Sequence, residues 1–166
     1  MPSSSEIAAS YFDCVTRQDV AGMIAHWRPG SRANFVGMEV LRAPEDYESW
    51  FGNLFRCFPD FRLEAKDIIA EGDRAAVHWR ATGTFDGAGV FEGFKPNGAT
   101  IDLDGVDLLT IEDGQIIEIT AILNGLDMAR QLGAVPPRGS IADKAMAGAF
   151  NAKTAVAARI REMRGR

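Results

Sequence analysis

Apolar residues recur at helical spacing in the first third of the chain and at alternating positions through its middle. Ile7, Ala8, Tyr11, Phe12 and Val15 fall on one side of a helix that Ser3 to Ser5 can cap. A second, shorter helix is expected from Asp19 to Trp27, with Asp19 as its cap, Val20, Met23, Ile24 and Trp27 facing inward, and Pro29-Gly30 as its stop. Arg32 to Met38 reads as a short strand. Ala43-Pro44-Glu45 opens a third helix, whose Tyr47, Trp50, Phe51, Leu54 and Phe55 give it an aromatic face and whose end is Phe58-Pro59-Asp60.

The period then changes from helical to alternating. Phe61–Ala70, Arg74–Phe85, Thr100–Ile111 and Gln115–Leu123 read as four strands, separated by Glu71-Gly72-Asp73, by the glycine-rich stretch Asp86–Gly98 and by Asp113-Gly114. Helices followed by an antiparallel meander predict an α+β domain with a curved sheet wrapped over the helices. A short helical turn, Leu126–Leu132, ends at Gly133. After the linker Val135-Pro136-Pro137-Arg138-Gly139, a last, alanine-rich helix runs from Ile141 to about Met163. The expected division is residues 1–135 as one domain and 136–166 as a linker and helical extension.

Charge sharpens that division. Residues 1–137 hold 11 Lys/Arg against 21 Asp/Glu, and residues 138–166 hold 7 against 2. An acidic body argues against binding nucleic acid. The simplest role for the basic tail is docking on an acidic body, its own or a partner's. No apolar run is long enough to span a membrane. Two cysteines and two histidines make neither a disulfide scaffold nor a metal centre, and the start lacks a signal-peptide pattern, so a cytoplasmic protein is expected.

Several short runs, taken in order, carry a resemblance. They are Phe58-Pro59-Asp60-Phe61, Ile69-Ala70-Glu71-Gly72-Asp73-Arg74, Trp79-Arg80-Ala81-Thr82-Gly83-Thr84, Ile111-Glu112-Asp113-Gly114-Gln115-Ile116 and Ala129-Arg130-Gln131-Leu132-Gly133. Over Glu6 to Val135 the chain resembles the SnoaL-like polyketide cyclases of the nuclear-transport-factor-two-like superfamily. The resemblance implies a cone-shaped α+β barrel, in which a curved antiparallel sheet packs on the N-terminal helices and encloses an apolar pocket. It implies a homodimer, a small-molecule substrate, no metal and no organic cofactor. The implied chemistry is ring closure or isomerisation: a carboxylate of raised pKa takes a carbon-bound proton while neutral donors hold the enolate oxygen. A non-catalytic binding domain and an epoxide hydrolase are the alternatives.

The family's usual catalytic aspartate stands near the end of the last strand, and Asn124 occupies that place here. An amide cannot serve as a base near neutral pH. A replacement follows from hairpin register. A two-residue turn at Asp113-Gly114 pairs Glu112 with Gln115, and then Leu109 with Glu118 and Asp107 with Thr120. On that register Asp107, Leu109, Thr120, Ile122 and Asn124 share one face, and Asp107 becomes the candidate base. His78 is a further candidate for acid–base work, although it and Trp79 must face opposite ways on their strand. Candidate substrate contacts are Asn34, Thr120, Ile122, Leu109, Trp27, Tyr47 and Trp50.

Overall fold

The computed structural model describes residues 2–164. Helix α1 (Ser4–Thr16) starts at a reciprocal capping box. The Ser3 side chain accepts from the Glu6 backbone N–H at 3.3 Å, and Glu6 Oε2 accepts from the Ser3 N–H at 2.7 Å. Asp19 caps α2 (Val20–Ala25) by accepting from the Gly22 N–H at 2.9 Å. Trp27 does not belong to this helix. It opens strand β1 (Trp27–Phe35), which runs through Pro29-Gly30 with an irregularity between Trp27 and Arg32.

The sequence reading missed strand β2 (Glu39–Ala43), which turns back along β1, and it started the third helix too early. Helix α3 (Tyr47–Cys57) begins only after Asp46 and buries Tyr47, Phe51, Leu54 and Cys57. Strands β3 (Arg62–Glu71), β4 (Arg74–Phe85), β5 (Ala99–Glu112) and β6 (Gln115–Leu123) then form the antiparallel meander.

The six strands are ordered β2-β1-β6-β5-β4-β3. The sheet is mixed, not purely antiparallel as expected, because β1 runs parallel to β6. Its inner face carries columns of buried residues: Ala75, Val77, Trp79, Ala81 and Phe85 on β4, and Ile101, Leu103, Leu109 and Ile111 on β5. Helices α1 to α3 close over this face in one continuous core. The result is an α+β fold with a curved, unclosed sheet.

The loop between β4 and β5 is tied to the end of α3, with Gly87 N–H donating to Cys57 O at 3.1 Å, Ala88 N–H to Arg56 O at 2.8 Å and Asn53 Nδ2 to Val90 O at 2.9 Å. It delivers the buried Phe91 to the core.

After β6, Asn124 caps α4 (Gly125–Gln131), and α5 (Ile141–Arg164) follows the proline-rich linker. No residue of α5 is buried. The helix therefore does not dock on its own acidic body. No described helix is long and apolar enough to cross a membrane.

Next to the Ser3 cap, Ser4 ties the first helix to the sheet, its Oγ donating to Gly72 O at 2.7 Å in the β3–β4 turn. Replacing Ser3 by alanine is expected to cost about 1 kcal/mol of stability, the usual loss of a helix cap, read from urea unfolding midpoints at constant m-value.

Candidate functional site

Between the sheet and the helices lies a cavity of about 90 Å³. Its walls are aromatic and aliphatic: Phe12, Phe35, Trp50, Phe51, Phe58, Phe61 and Phe91 among others. Phe35 stacks on Trp50 with ring centroids 4.6 Å apart, and Trp50 meets Phe51 edge-on at 4.9 Å. Half-buried lining residues cluster on β1, the β1–β2 turn, α3 and the β6–α4 junction, where Phe35, Met38, Trp50, Leu123 and Met128 mark the more open end; Leu63 of β3 is half-buried apart from them.

Among the described residues one carboxylate stands in this wall, Asp107. It occupies an inward position of β5, in the column Ile101, Leu103, Gly105, Asp107, Leu109, Ile111, where every other side chain is apolar or absent. The Trp79 indole N–H donates to Asp107 Oδ1 at 2.7 Å. Oδ2 accepts no hydrogen bond from any described residue. Burial raises the pKa of Asp107 to about 7, and the Trp79 hydrogen bond, which favours the ionised form, offsets only part of that rise.

Gly105 makes this geometry possible. It pairs directly across from Trp79, and a Cβ at position 105 would lie 2.2 Å from Trp79 Cζ2 and 2.3 Å from Cη2. The bare backbone lets the indole lie against β5, so that its N–H reaches the carboxylate two residues further along the same strand.

Two tyrosines complete the polar end. Tyr11 Oη and Tyr47 Oη lie 3.1 Å apart in a hydrogen bond that either can donate. One hydroxyl donates and the other accepts, so one O–H is left over for a further acceptor. Burial, first of all, raises both phenol pKa values, and the nearby Asp107 charge adds to the rise. Both therefore stay neutral donors. Trp27 packs edge-on against Tyr11 and Tyr47 at 6.3 and 5.2 Å. Its indole N–H lies beside both hydroxyls and works against their pKa rise. Its Nε1 is nevertheless buried without a well-formed hydrogen bond.

The remaining sequence-predicted residues divide between the two faces of the sheet. Tyr47 and Trp50 line the cavity. Leu109 and Trp27 are buried on the inner side but lie outside the lining. Thr120, Ile122 and Asn34 are on the outer face. The reason is an extra residue in β6: Ile111 pairs with Ile116, but Thr110 pairs with Glu118. This shift puts Asp107 opposite Ala121, not Thr120, and turns Ile119, Ala121 and Leu123 inward. Asn34 alternates with the inward Ala33 and Phe35. Asn124 is exposed and spends its side-chain oxygen on the Asp127 N–H at 3.1 Å. His78 is half exposed, with Nε2 3.0 Å from Asp104 Oδ1. His78, Ile122 and Asn124 border a shallow groove on the outer face, away from Asp107.

Sequence reasoning missed Tyr11 and the cavity role of Trp79. Both were legible from periodicity: Trp79 shares the alternating inward phase of Val77 and Ala81 on its strand, and Tyr11 lies at helical spacing from Ile7 and Ala8. Among the described residues no group of three or more His, Cys, Asp or Glu is placed to hold a metal ion. Cys14 and Cys57 are buried free thiols.

With this geometry in view, the comparisons with known proteins are specific about family. A sequence model of the SnoaL-like polyketide cyclases matches residues 5–132, and the chain belongs to that family. A search of curated proteins finds no match. Among solved structures, a SnoaL-like protein from Jannaschia sp. CCS1, proposed to be a polyketide cyclase, is 28% identical over 80% of this chain and 92% of its own, with a TM-score of 0.70. AclR from Streptomyces galilaeus, proposed to be a hydroxylase, is 24% identical over 97% of this chain and 96% of its own, with a TM-score of 0.69. IdmH from Streptomyces antibioticus, also proposed to be a polyketide cyclase, is 22% identical over 78% of this chain and 97% of its own, with a TM-score of 0.66. The likenesses to AclR and IdmH are likenesses of fold.

Two outcomes follow from the buried acid. Asp107 binds its proton more tightly in the folded chain than in the unfolded chain, whose reference pKa is 3.8. Its contribution is therefore fully present below about pH 4 and is lost as pH rises through about 7. Asp107→Asn keeps an acceptor for Trp79 and removes the titration. The variant should match the parent near pH 4 and exceed it by up to about 4 kcal/mol above pH 7, measured by chemical unfolding across that range. Gly105→Ala should displace Trp79, quench or shift its fluorescence, and raise the Asp107 pKa further, read from the carboxyl carbon-13 shift against pH.

Proposed function

We propose that the protein is a cofactor-independent enzyme of the cyclase or isomerase type, acting on a small or medium, apolar, oxygenated, polyketide-like substrate, with Asp107 as its general base. The observation that carries this reading is the placement of one carboxylate, with a pKa near neutrality, in an otherwise apolar cavity beside neutral hydroxyl donors. A base whose pKa lies near the working pH is present in its active form and still strong enough to take a proton from carbon.

The steps balance without any added group. Trp79 holds Oδ1, so the free Oδ2 takes a proton from the carbon next to a substrate carbonyl. The electron pair of that C–H bond moves into the enolate, and the enolate oxygen accepts the spare tyrosine O–H of the Tyr11–Tyr47 pair. In a cyclisation the enolate carbon then forms a bond to a second carbonyl carbon of the same molecule. The new alkoxide takes the proton back from Asp107. In an isomerisation the proton returns to a different carbon. Either way the carboxylate is regenerated.

Size restricts the substrate. A cavity of about 90 Å³ is smaller than the roughly 150 Å³ that accommodates benzene in a dry protein core. A one-ring or folded-chain substrate therefore has to displace side chains at the open end, and Met38 and Met128 are the adaptable ones. Asn124, His78, Asn34, Thr120 and Ile122 have no part in this scheme.

Solvent-deuterium exchange into aryl 1,3-diketones and β-keto esters, followed by NMR, tests the reading. The parent should exchange the acidic C–H with a rate that rises with pH through about 7. Asp107→Asn should lose about 1,000-fold or more, and Tyr47→Phe about 10- to 100-fold. Exchange that persists in Asp107→Asn removes Asp107 as the base. Tight binding without exchange by the parent identifies a binding domain in place of an enzyme.

A further inference from the structure

Trp27 is 2% exposed, and its indole Nε1 is closed off from solvent without a well-formed hydrogen bond. A phenylalanine ring would pack in the same place without burying an unmet donor. The indole is held firmly. Trp27 opens β1 opposite Ile116 of β6, the Ile116 N–H donates to His26 O at 2.8 Å, and Gln115 Nε2 donates to Trp27 O at 3.4 Å. The ring meets both cavity tyrosines in T-shaped contacts, at interplanar angles of 84° to Tyr11 and 67° to Tyr47.

Three donors therefore share two oxygens. They are Trp27 N–H, Tyr11 O–H and Tyr47 O–H, and the tyrosine oxygens lie 3.1 Å apart. The arrangement that uses them best is a chain: the indole N–H donates to one tyrosine oxygen, that tyrosine donates to the other, and the second donates to a ligand oxygen. Tyr11 and Tyr47 line the cavity and Trp27 does not, so such a chain runs from behind the wall to its surface. Either order of the two tyrosines passes through both hydroxyls.

We propose that Trp27 is a positioning residue for the oxygen-binding end of the cavity, its N–H closing onto the tyrosine pair when negative charge develops on a ligand oxygen held by that pair. This rests on the reading of the cavity as an enolate-forming site. A neutral carbonyl draws little charge through the pair, and the indole N–H stays poorly engaged. An enolate pulls the outer O–H toward itself. The outer oxygen then becomes a stronger acceptor for the inner O–H, and the inner oxygen a stronger acceptor for the indole. The bond is thus made with the enolate and not with the substrate, which is the condition for raising kcat rather than affinity. No proton changes owner along the chain, because burial keeps both phenols protonated.

Proton–nitrogen NMR of the parent tests this, since the chain has three tryptophans and the Trp27 indole signal is assigned by nuclear Overhauser contacts to Tyr11 and Tyr47. The probe is 1,3-cyclohexanedione as its enolate, at about pH 6, where Asp107, with a pKa of about 7, carries a proton. Cyclohexanone is the neutral control. In the free protein the Trp27 N–H should lie upfield of the Trp79 N–H, which donates to Asp107 at 2.7 Å. The enolate should move it downfield, and cyclohexanone should leave it in place. In the deuterium-exchange assay Trp27→Phe, with folding checked by circular dichroism, should lose about 10-fold in kcat with KM nearly unchanged, and should cost nothing more when added to Tyr47→Phe. A Trp27 signal already downfield in the free protein, or unmoved by the enolate, overturns the proposal. So does a Trp27→Phe chain with parent kcat, or one whose loss multiplies with that of Tyr47→Phe. Asp107 remains the base in all those cases so long as the parent exchanges and Asp107→Asn does not. A parent without exchange removes both.

Discussion

A single carboxylate buried against aromatic walls sets the terms for the rest of this fold. An ionised Asp107 without a partner would cost several kcal/mol, and the chain answers with one strong donor rather than a counter-charge. An arginine beside Asp107 would hold it permanently ionised and far below neutrality. The indole N–H of Trp79 instead supports one oxygen and leaves the pKa near 7. Much follows from that choice. The indole needs the empty space over Gly105, Gly105 has to pair with Trp79, and that pairing has to hold along twelve residues of β4 against β5. The regularity of the longest hairpin in the sheet thus positions a single proton.

Helices α1 and α3 contribute in a complementary way. Each supplies one tyrosine to the polar end of the cavity, and the two hydroxyls bond to each other across the gap between helices. This satisfies part of their hydrogen-bonding capacity inside an apolar interior and leaves a donor over. A fully satisfied cluster would only stabilise the fold, and an unpaired carboxylate would only destabilise it. The partial satisfaction of Tyr11, Tyr47, Asp107 and Trp27 concentrates the unmet polar capacity of the core at one end of one cavity. That concentration sets this end of the cavity apart from an ordinary packing defect.

The fold was largely legible in the sequence because period and turn chemistry are local. The four meander strands, the Ser3 and Asp19 caps and the long last helix all rest on patterns a few residues wide. Strand β2 was missed because Glu39 to Ala43 is short and follows a turn with little glycine signal beyond Gly37. Site residues were harder, since their facing depends on register accumulated over a hairpin. The extra residue between Ile116 and Glu118 leaves no mark in composition, yet it moves Thr120 and Ile122 to the far face. Asp107 kept its inward position because its own strand alternates without interruption. Asn124 was placed by analogy with the family's aspartate, but here the chain has already left the strand and the amide is committed to capping α4. For a single acid, parity within its own strand was the safer guide than pairing with a neighbour.

The inner and outer faces of the sheet pose opposite physical problems. Inside, the helices cover almost everything, and the polar exceptions gather at Asp107. Outside, an apolar row lies open, and polar residues to one side of it pair across strands, Arg80 with Asp102 and His78 with Asp104. Helix α5, rooted by the Arg130–Asp143 pair, buries none of its side chains. The two faces thus divide the sheet: the inner one gathers the polar exceptions at Asp107, and the outer one carries exposed apolar side chains.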